Sequence, residues 1–465
     1  MAQVSEIVSL SAAEMLSAFG KRELSPVEVM SAHLDQCERR NPEINAVFGL
    51  RSDYAMDGAK QSEERWRNGG LRGVLDGLPV VLKDSVKCVG FDYFHGSASY
   101  DGSPAEEDAP PAARIKEAGG LVHAKTTMPD YGMLAAGVSS VFGVVRNPWD
   151  KTVNTGGSSA GSGAAVAAGL APLAVGTDIA GSVRVPSAHN GLVGVKPSRG
   201  RIPHLQPSPI RSAGPMARTV EDAALLMSIM VLPDGRDYEA APACDDGAFR
   251  SIANTPEEFL KAKRIGLMLD MGYGQSTDSR IRDLIERQAT LFEDLGASVD
   301  IVPTVAKSDP MDALYVLVQS RAYHELMSRP EDLRSRLLPY IDRWCRQIEC
   351  RSAYELSAAL FDLERFKSRV TEVLEPYDFV ISPSLTVVSF PADQVAPIPD
   401  KHFAHCAYQI PFNQTGAPAL SINAGFIDGL PVGMQIVGKR YDDLGMMKAA
   451  AVYERHRGIE MRWPI

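Results

Sequence analysis

Apolar residues in this chain gather in short continuous runs cut off by Gly, Pro or Asp, and helix-start signatures lie between those runs. Residues 78–82, between Gly77 and Asp84, predict a buried strand, as do residues 121–124, entered through Gly119 and Gly120. Residues 379–383 predict another strand. Residues 418–422 and 431–437 predict two more, joined through Gly425, Asp428 and Gly429. Helix starts are marked by Ser11 with Glu14, by Ser25 followed by Pro26, and by Thr219 with Asp222 ahead of an Ala-Leu-Met run. The first 50 residues read as helical, and so do the Ala-rich residues 162–169 and most of 309–375. Residues 264–269, 278–295 and 297–302 predict a strand–helix–strand unit. The polar stretch 233–255 predicts a surface connection, and 389–399, with three prolines, predicts a loop.

Strands alternating with helices imply an α/β fold, a mixed and mostly parallel sheet covered by helices on both faces. No repeat and no clean linker divides the chain, so one large domain over residues 1–465 is expected.

Composition narrows the function classes. Of 465 residues, 45% are hydrophobic and 23% charged, an ordinary globular balance. A net charge of −10 argues against nucleic acid or an anionic membrane as partner, since either calls for a basic face. The six cysteines (Cys37, Cys88, Cys244, Cys345, Cys350, Cys406) are dispersed with no CxxC, so no zinc site or disulfide framework is expected. They read as reduced thiols of a cytoplasmic protein. The first lysine or arginine is Lys21, so no signal peptide is expected. The longest apolar run, 164–175, contains Gly169 and Pro172 and is too short to span a bilayer.

The chemistry concentrates in three segments. Residues 155–165 read T-G-G-S-S-A-G-S-G-A-A, residues 176–187 read G-T-D-I-A-G-S-V-R-V-P-S, and residues 77–84 read G-L-P-V-V-L-K-D. A phosphate-binding P-loop needs Gly-Lys-Ser/Thr, and no lysine lies between Lys151 and Lys196. The dinucleotide fingerprint fails because Val166 stands at its third glycine. The remaining use of such a tract is to bring backbone N–H groups close to a reacting oxygen. A serine there needs a base. His189 is the one histidine of the tract, and no Gly-x-Ser-x-Gly elbow surrounds Ser182. Lys83 ends an apolar strand, where burial would lower its pKa and let it act as the base.

These segments resemble the amidase signature family of hydrolases. The likeness runs from the N-terminal helices through G-L-P-V-V-L-K-D to P-F-N-Q-T-G-A-P-A-L (411–420) and D-G-L-P-V-G-M-Q-I-V-G (428–438), and is thin between about 235 and 375. It implies a core of 60–230 and 376–445 with a helical insertion at 235–375. It further implies Ser182 as nucleophile, Ser158 as a bridging serine after a cis peptide bond, and Lys83 as base. The oxyanion would rest on N–H groups of Ile179, Ala180, Gly181 and Ser182. Tyr131, Met133, Gly157, Thr177 and Asp178 would contact substrate. No metal and no cofactor is implied. Two positions depart from the family pattern: Ala180, where glycine is usual, and Asn423, where proline is usual. Both are expected to bear on substrate shape.

Asp178 and Arg184 read as a structural ion pair beneath the loop, and His189 as structural. His402 and His405 either line the pocket or are exposed. The uncharged segment 131–140, with Phe390 and Phe403, predicts an apolar acyl pocket without a cation for a carboxylate. The expected substrate is therefore a small uncharged amide with an apolar or aryl acyl group, and a second copy of the chain is left open as partner. Two alternatives stand beside this. One is the glutamine-hydrolysing subunit of a tRNA-dependent amidotransferase, whose nucleophile segment usually reads Ser-Ile-Arg-Gln-Pro-Ala, whereas Val183, Val185 and Ser187 occur here. The other is a non-catalytic binding protein on the same fold.

Overall fold

The computed structural model describes residues 4–205 and 207–465. Among the described residues thirteen strands occur in chain order: β1 Val47–Phe48, β2 Pro79–Lys83, β3 Leu121–Thr126, β4 Val138–Ser139, β5 Gly143–Val144, β6 Leu173–Asp178, β7 Val193–Lys196, β8 Ser212–Ala217, β9 Arg264–Leu267, β10 Ser298–Ile301, β11 Phe379–Pro383, β12 Ala419–Ile427 and β13 Leu430–Gly438. Eleven form one sheet in the order β1-β3-β2-β6-β8-β7-β12-β13-β11-β9-β10, while β4 and β5 pair by themselves. The sheet is mixed. β2 runs parallel to β3 and β6, and β9 runs parallel to β10 and β11. The strands from β6 across to β11 pair antiparallel.

Every residue of β2 is buried, as expected for a strand covered on both faces by helices. The strand–helix–strand unit appears as β9, the helix Ser279–Asp294 and β10. It extends the sheet at its far edge, so part of the expected helical insertion is sheet. Beyond it, Met311–Met327, Pro339–Arg346 and Ala353–Leu374 are helices.

Capping boxes close at Ser11 with Glu14 and at Ser25 with Glu28. The Thr219 signature forms only half a box. Thr219 Oγ1 accepts from the Asp222 N–H at 3.1 Å, but the Asp222 carboxylate instead accepts from the Ala12 and Ala13 N–H groups at the start of the helix Ala12–Lys21. One acid thus ties two helix starts that lie 210 residues apart in the chain. The connection 233–255 holds a short helix, Gly247–Arg250, whose Phe249 reaches the core. His402 and His405 are both fully buried, which overturns the exposed reading. His402 Nδ1 meets Tyr340 Oη at 3.0 Å, and its ring packs on Trp344 and Phe403.

β6, β7 and β8 escape the apolar-run pattern because glycine replaces apolar side chains where backbones crowd. A Cβ at Gly214 would stand 1.9 Å from the Val195 carbonyl oxygen, and one at Gly194 would stand 2.0 Å from Ser187 Oγ. No helix among the described residues is long and apolar enough to cross a membrane.

Candidate active site

Lys83 is the last residue of β2, between β3 and β6. That position buries its amine completely, and burial pushes its pKa down to about 7, with Asp178 pulling the other way. Lys83 Nζ donates to Ser158 Oγ at 2.7 Å and to Thr177 Oγ1 at 3.0 Å. Ser158 stands just ahead of the helix Ala160–Ala167, and the Gly157–Ser158 peptide bond is cis. Gly132 leaves room beside that hydroxyl, since a Cβ there would stand 3.1 Å from Ser158 Oγ.

Ser182 lies on the loop between β6 and the helix Arg184–Asn190. Its carbonyl oxygen accepts from the Ser159 N–H at 3.1 Å, which sets the two serine-bearing loops side by side. Ser159 Oγ also bridges to the backbone of Thr177. The sheet therefore brings Lys83, Ser158, Thr177 and Ser182 together from three separate segments.

A buried scaffold shapes the Ser182 loop from below. The Asp178 carboxylate accepts from the N–H groups of Gly181 (2.7 Å) and Val183 (3.1 Å), and pairs with Arg184 at 2.9 Å. Burial alone would raise the Asp178 pKa, but the Arg184 guanidinium, together with Asn413 and Lys196, more than offsets this and holds the carboxyl far below the usual range. Arg184 also donates to Gln435 Oε1 and Asn413 Oδ1, reaching strands and helices of the C-terminal half. Asp178 thus stands under the loop and shares no wall with the cavity described below. Of the four expected oxyanion donors, Gly181 is committed to Asp178, while the N–H groups of Ile179, Ala180 and Ser182 make no protein hydrogen bond among the described residues.

A cavity of about 980 Å³ opens onto this corner. Tyr131, Met133, Ser158, Thr177 and Ile179 line it. Gly157 does not, and a Cβ there would stand 2.5 Å from the Ala136 carbonyl oxygen. Ser182 is 6% exposed and lies beside the lining residues rather than among them.

The expected apolar pocket requires correction. Only residues 131–133 of the uncharged segment reach the cavity, and Leu134, Ala135 and Ala136 are core. Phe390 packs on His189 and His405, and Phe403 packs on Tyr315 and His402, all away from the wall. The wall carries charge instead: Arg211, Arg321, Glu325 and Arg329. Sequence reasoning missed these four residues. Arg211 has no motif around it, and the other three fall where the family likeness is thin. Asn423 is also corrected: it forms a bulge in β12, with its Oδ1 accepting from Gly425, far from the cavity.

His189 is buried and its pKa is lowered to about 4 by that burial; its Nδ1 meets only the Asn154 carbonyl oxygen. It is therefore neutral near pH 7, and it lines no part of the cavity.

Comparison with known proteins agrees with the geometry. A family model described as Amidase matches residues 28–446. Among curated proteins, the chain is 30% identical to a glutamyl-tRNA(Gln) amidotransferase subunit of Symbiobacterium thermophilum, with 96% of each chain covered. It is 32% identical to the protein of the same name from Thioalkalivibrio sulfidiphilus, covering 95% of this chain and 96% of the other. Among solved structures, a bacterial aryl acylamidase of the amidase signature family superposes with a TM-score of 0.88 at 28% identity, covering 96% of each chain. The peptide amidase of Stenotrophomonas maltophilia superposes with a TM-score of 0.82 at 26% identity, covering 98% of each. With a family match along nine-tenths of its length, the chain belongs to the amidase signature family and is an amide-hydrolysing enzyme.

Proposed function

We propose that the enzyme cleaves the carbon–nitrogen bond of a small amide through Lys83, Ser158 and Ser182. Neutral Lys83 takes the proton of Ser158, Ser158 takes that of Ser182, and Ser182 Oγ attacks the amide carbon. N–H groups of Ile179, Ala180 and Ser182 receive the developing oxyanion; Gly181 serves the loop through Asp178 rather than the oxyanion directly. The amine departs with a proton returned through Ser158, and water then hydrolyses the acyl-enzyme to carboxylate and free Ser182. The supporting observation is the Lys83–Ser158 contact of 2.7 Å, made by a fully buried lysine whose lowered pKa allows it to be neutral near pH 7. The test is mass spectrometry of the protein after brief exposure to an amide panel. A mass increase equal to the acyl group, on the peptide containing Ser182, supports the assignment, and its appearance on any other residue sinks it.

A second reading is favoured by the names of the curated relatives: that the chain is the glutamine-hydrolysing subunit of an amidotransferase acting on glutamyl-tRNA(Gln). It predicts higher kcat/KM for glutamine than for aryl or alkyl amides, and co-purification with further subunits. The free-standing amidase reading predicts turnover of small amides by the isolated chain.

A further inference from the structure

The cavity wall is not what cleavage of a neutral amide requires. Its lining carries as many Lys and Arg as Asp and Glu. Asp101, Glu106 and Glu107 are exposed on one segment, where water screens them. The lining also holds three guanidinium groups, Arg211, Arg321 and Arg329, and a fourth carboxylate, Glu325. Glu325 is already engaged: it accepts from Tyr100 Oη at 2.9 Å and pairs with His95 Nδ1. Arg329 stacks over the Tyr100 ring at 4.2 Å.

Arg211 stands next to the reacting corner by register. β6 and β8 pair Thr177 with Ala213 and Asp178 with Ser212, so the next step of the ladder sets Arg211 opposite Ile179. Arg321 joins it from the helix Met311–Met327, donating to Ser208 Oγ at 3.0 Å on the segment that leads into Arg211. Burial lowers the pKa of both side chains, and Arg321 adds to the effect on Arg211, while Glu325 and Asp237 oppose it. Two poorly solvated cations held close together attract an anion that enters between them.

We propose that Arg211 and Arg321 form a carboxylate-binding subsite, so that the amides this site hydrolyses carry a carboxylate remote from the scissile bond. The proposal rests on the amide-hydrolase reading and narrows its substrate class. The carboxylate can sit on the acyl part, as in adipamate, or on the amine part, as in 4-acetamidobenzoate; the subsite chemistry is shared.

Matched pairs test it: adipamate against adipamide, and 4-acetamidobenzoate against 4-acetamidobenzamide. The expected result is a kcat/KM at least about tenfold higher for the charged member of one pair, as a charge-assisted bidentate contact provides. That pair also identifies which part of the substrate carries the anion. The charged-to-neutral ratio is expected to collapse in Arg321→Gln and Arg211→Gln and to persist partly in Arg321→Lys. In the unaltered enzyme, the KM of the charged member alone is expected to rise with ionic strength, a readout that needs no variant to fold. Equal or better turnover of the neutral members in both pairs overturns the subsite. Calorimetry of adipamate with the Ser182→Ala protein separates the two readings. Binding that requires Arg321, in an enzyme that turns over no amide, keeps the subsite and removes the hydrolase mechanism. Turnover of neutral amides without binding of either anion does the reverse.

Discussion

At the scale of single residues, the proposed mechanism depends on one buried amine, Lys83. A lysine whose pKa falls from 10.5 in free solution to about 7 in the fold is protonated, and inactive as a base, below pH 7. Activity is therefore expected to rise with pH through about 7, and kcat/KM measured between pH 5.5 and 9 checks it. Lys83→Ala is expected to cost about 10²–10⁴-fold in kcat. A folded variant within threefold of the parent, by the same assay, would remove Lys83 from the mechanism. The same burial has a stability consequence. The unfolded chain holds this proton up to 10.5 and the folded chain only to about 7, so the penalty is full below pH 7 and fades as pH rises towards 10.5. Lys83→Met is therefore expected to raise Tm more at pH 6 than at pH 9, and thermal melts at the two values test the sign.

At the scale of elements, two buried contacts hold the site segments in place. The helix Ala160–Ala167 approaches β1 and β3 so closely that a Cβ at Gly161 would stand 2.2 Å from the Ala46 carbonyl oxygen and 2.6 Å from the Thr127 nitrogen. Gly161→Ala forces backbone apart rather than filling space, and overpacking of this kind typically costs about 1–3 kcal/mol. Denaturant titration should show a lower midpoint with an unchanged slope. The Ser182 loop depends on the Asp178–Arg184 pair in the same way. Arg184→Met leaves the Asp178 carboxylate buried and without its cation, which is expected to destabilise the fold by about 3–5 kcal/mol. Because the Gly181 and Val183 N–H groups hang from that carboxylate, activity is expected to fall even at temperatures where the variant stays folded. An Arg184→Met enzyme with parental kcat and parental midpoint would show that the loop holds its shape without the pair.

At the scale of the whole molecule, the sheet centre and its connections should differ in protection. β2, β6 and β8 are buried throughout and hydrogen-bonded on both sides, whereas residues 233–246 are largely exposed and carry little regular structure. Hydrogen exchange is expected to be slowest in these three strands and fastest in that connection. Faster exchange in β2 than in 233–246 would contradict the sheet order.

The sequence alone determined the family, the segments proposed to carry the chemistry and the elements with strong local signals. Lys83 stood out because it ends an apolar run, and Ser158 and Ser182 because small residues crowd around them; such patterns are local and survive in one dimension. β11, the capped N-terminal helices and the strand–helix–strand unit at the sheet edge were legible for the same reason. Tertiary structure decided what depends on residues distant in the chain. It turned Asp222 to a helix start 210 residues away, and it placed strands such as β8 where glycine, not hydrophobicity, allows close backbones. It also decided the character of the pocket. The uncharged segment around Tyr131 supplies only three wall residues, and the rest of the wall includes Arg211 from one strand edge and Arg321 and Glu325 from a helix more than 100 residues on. A cavity is a property of surfaces that meet only after folding, so its charge could not be read from the segment around Tyr131.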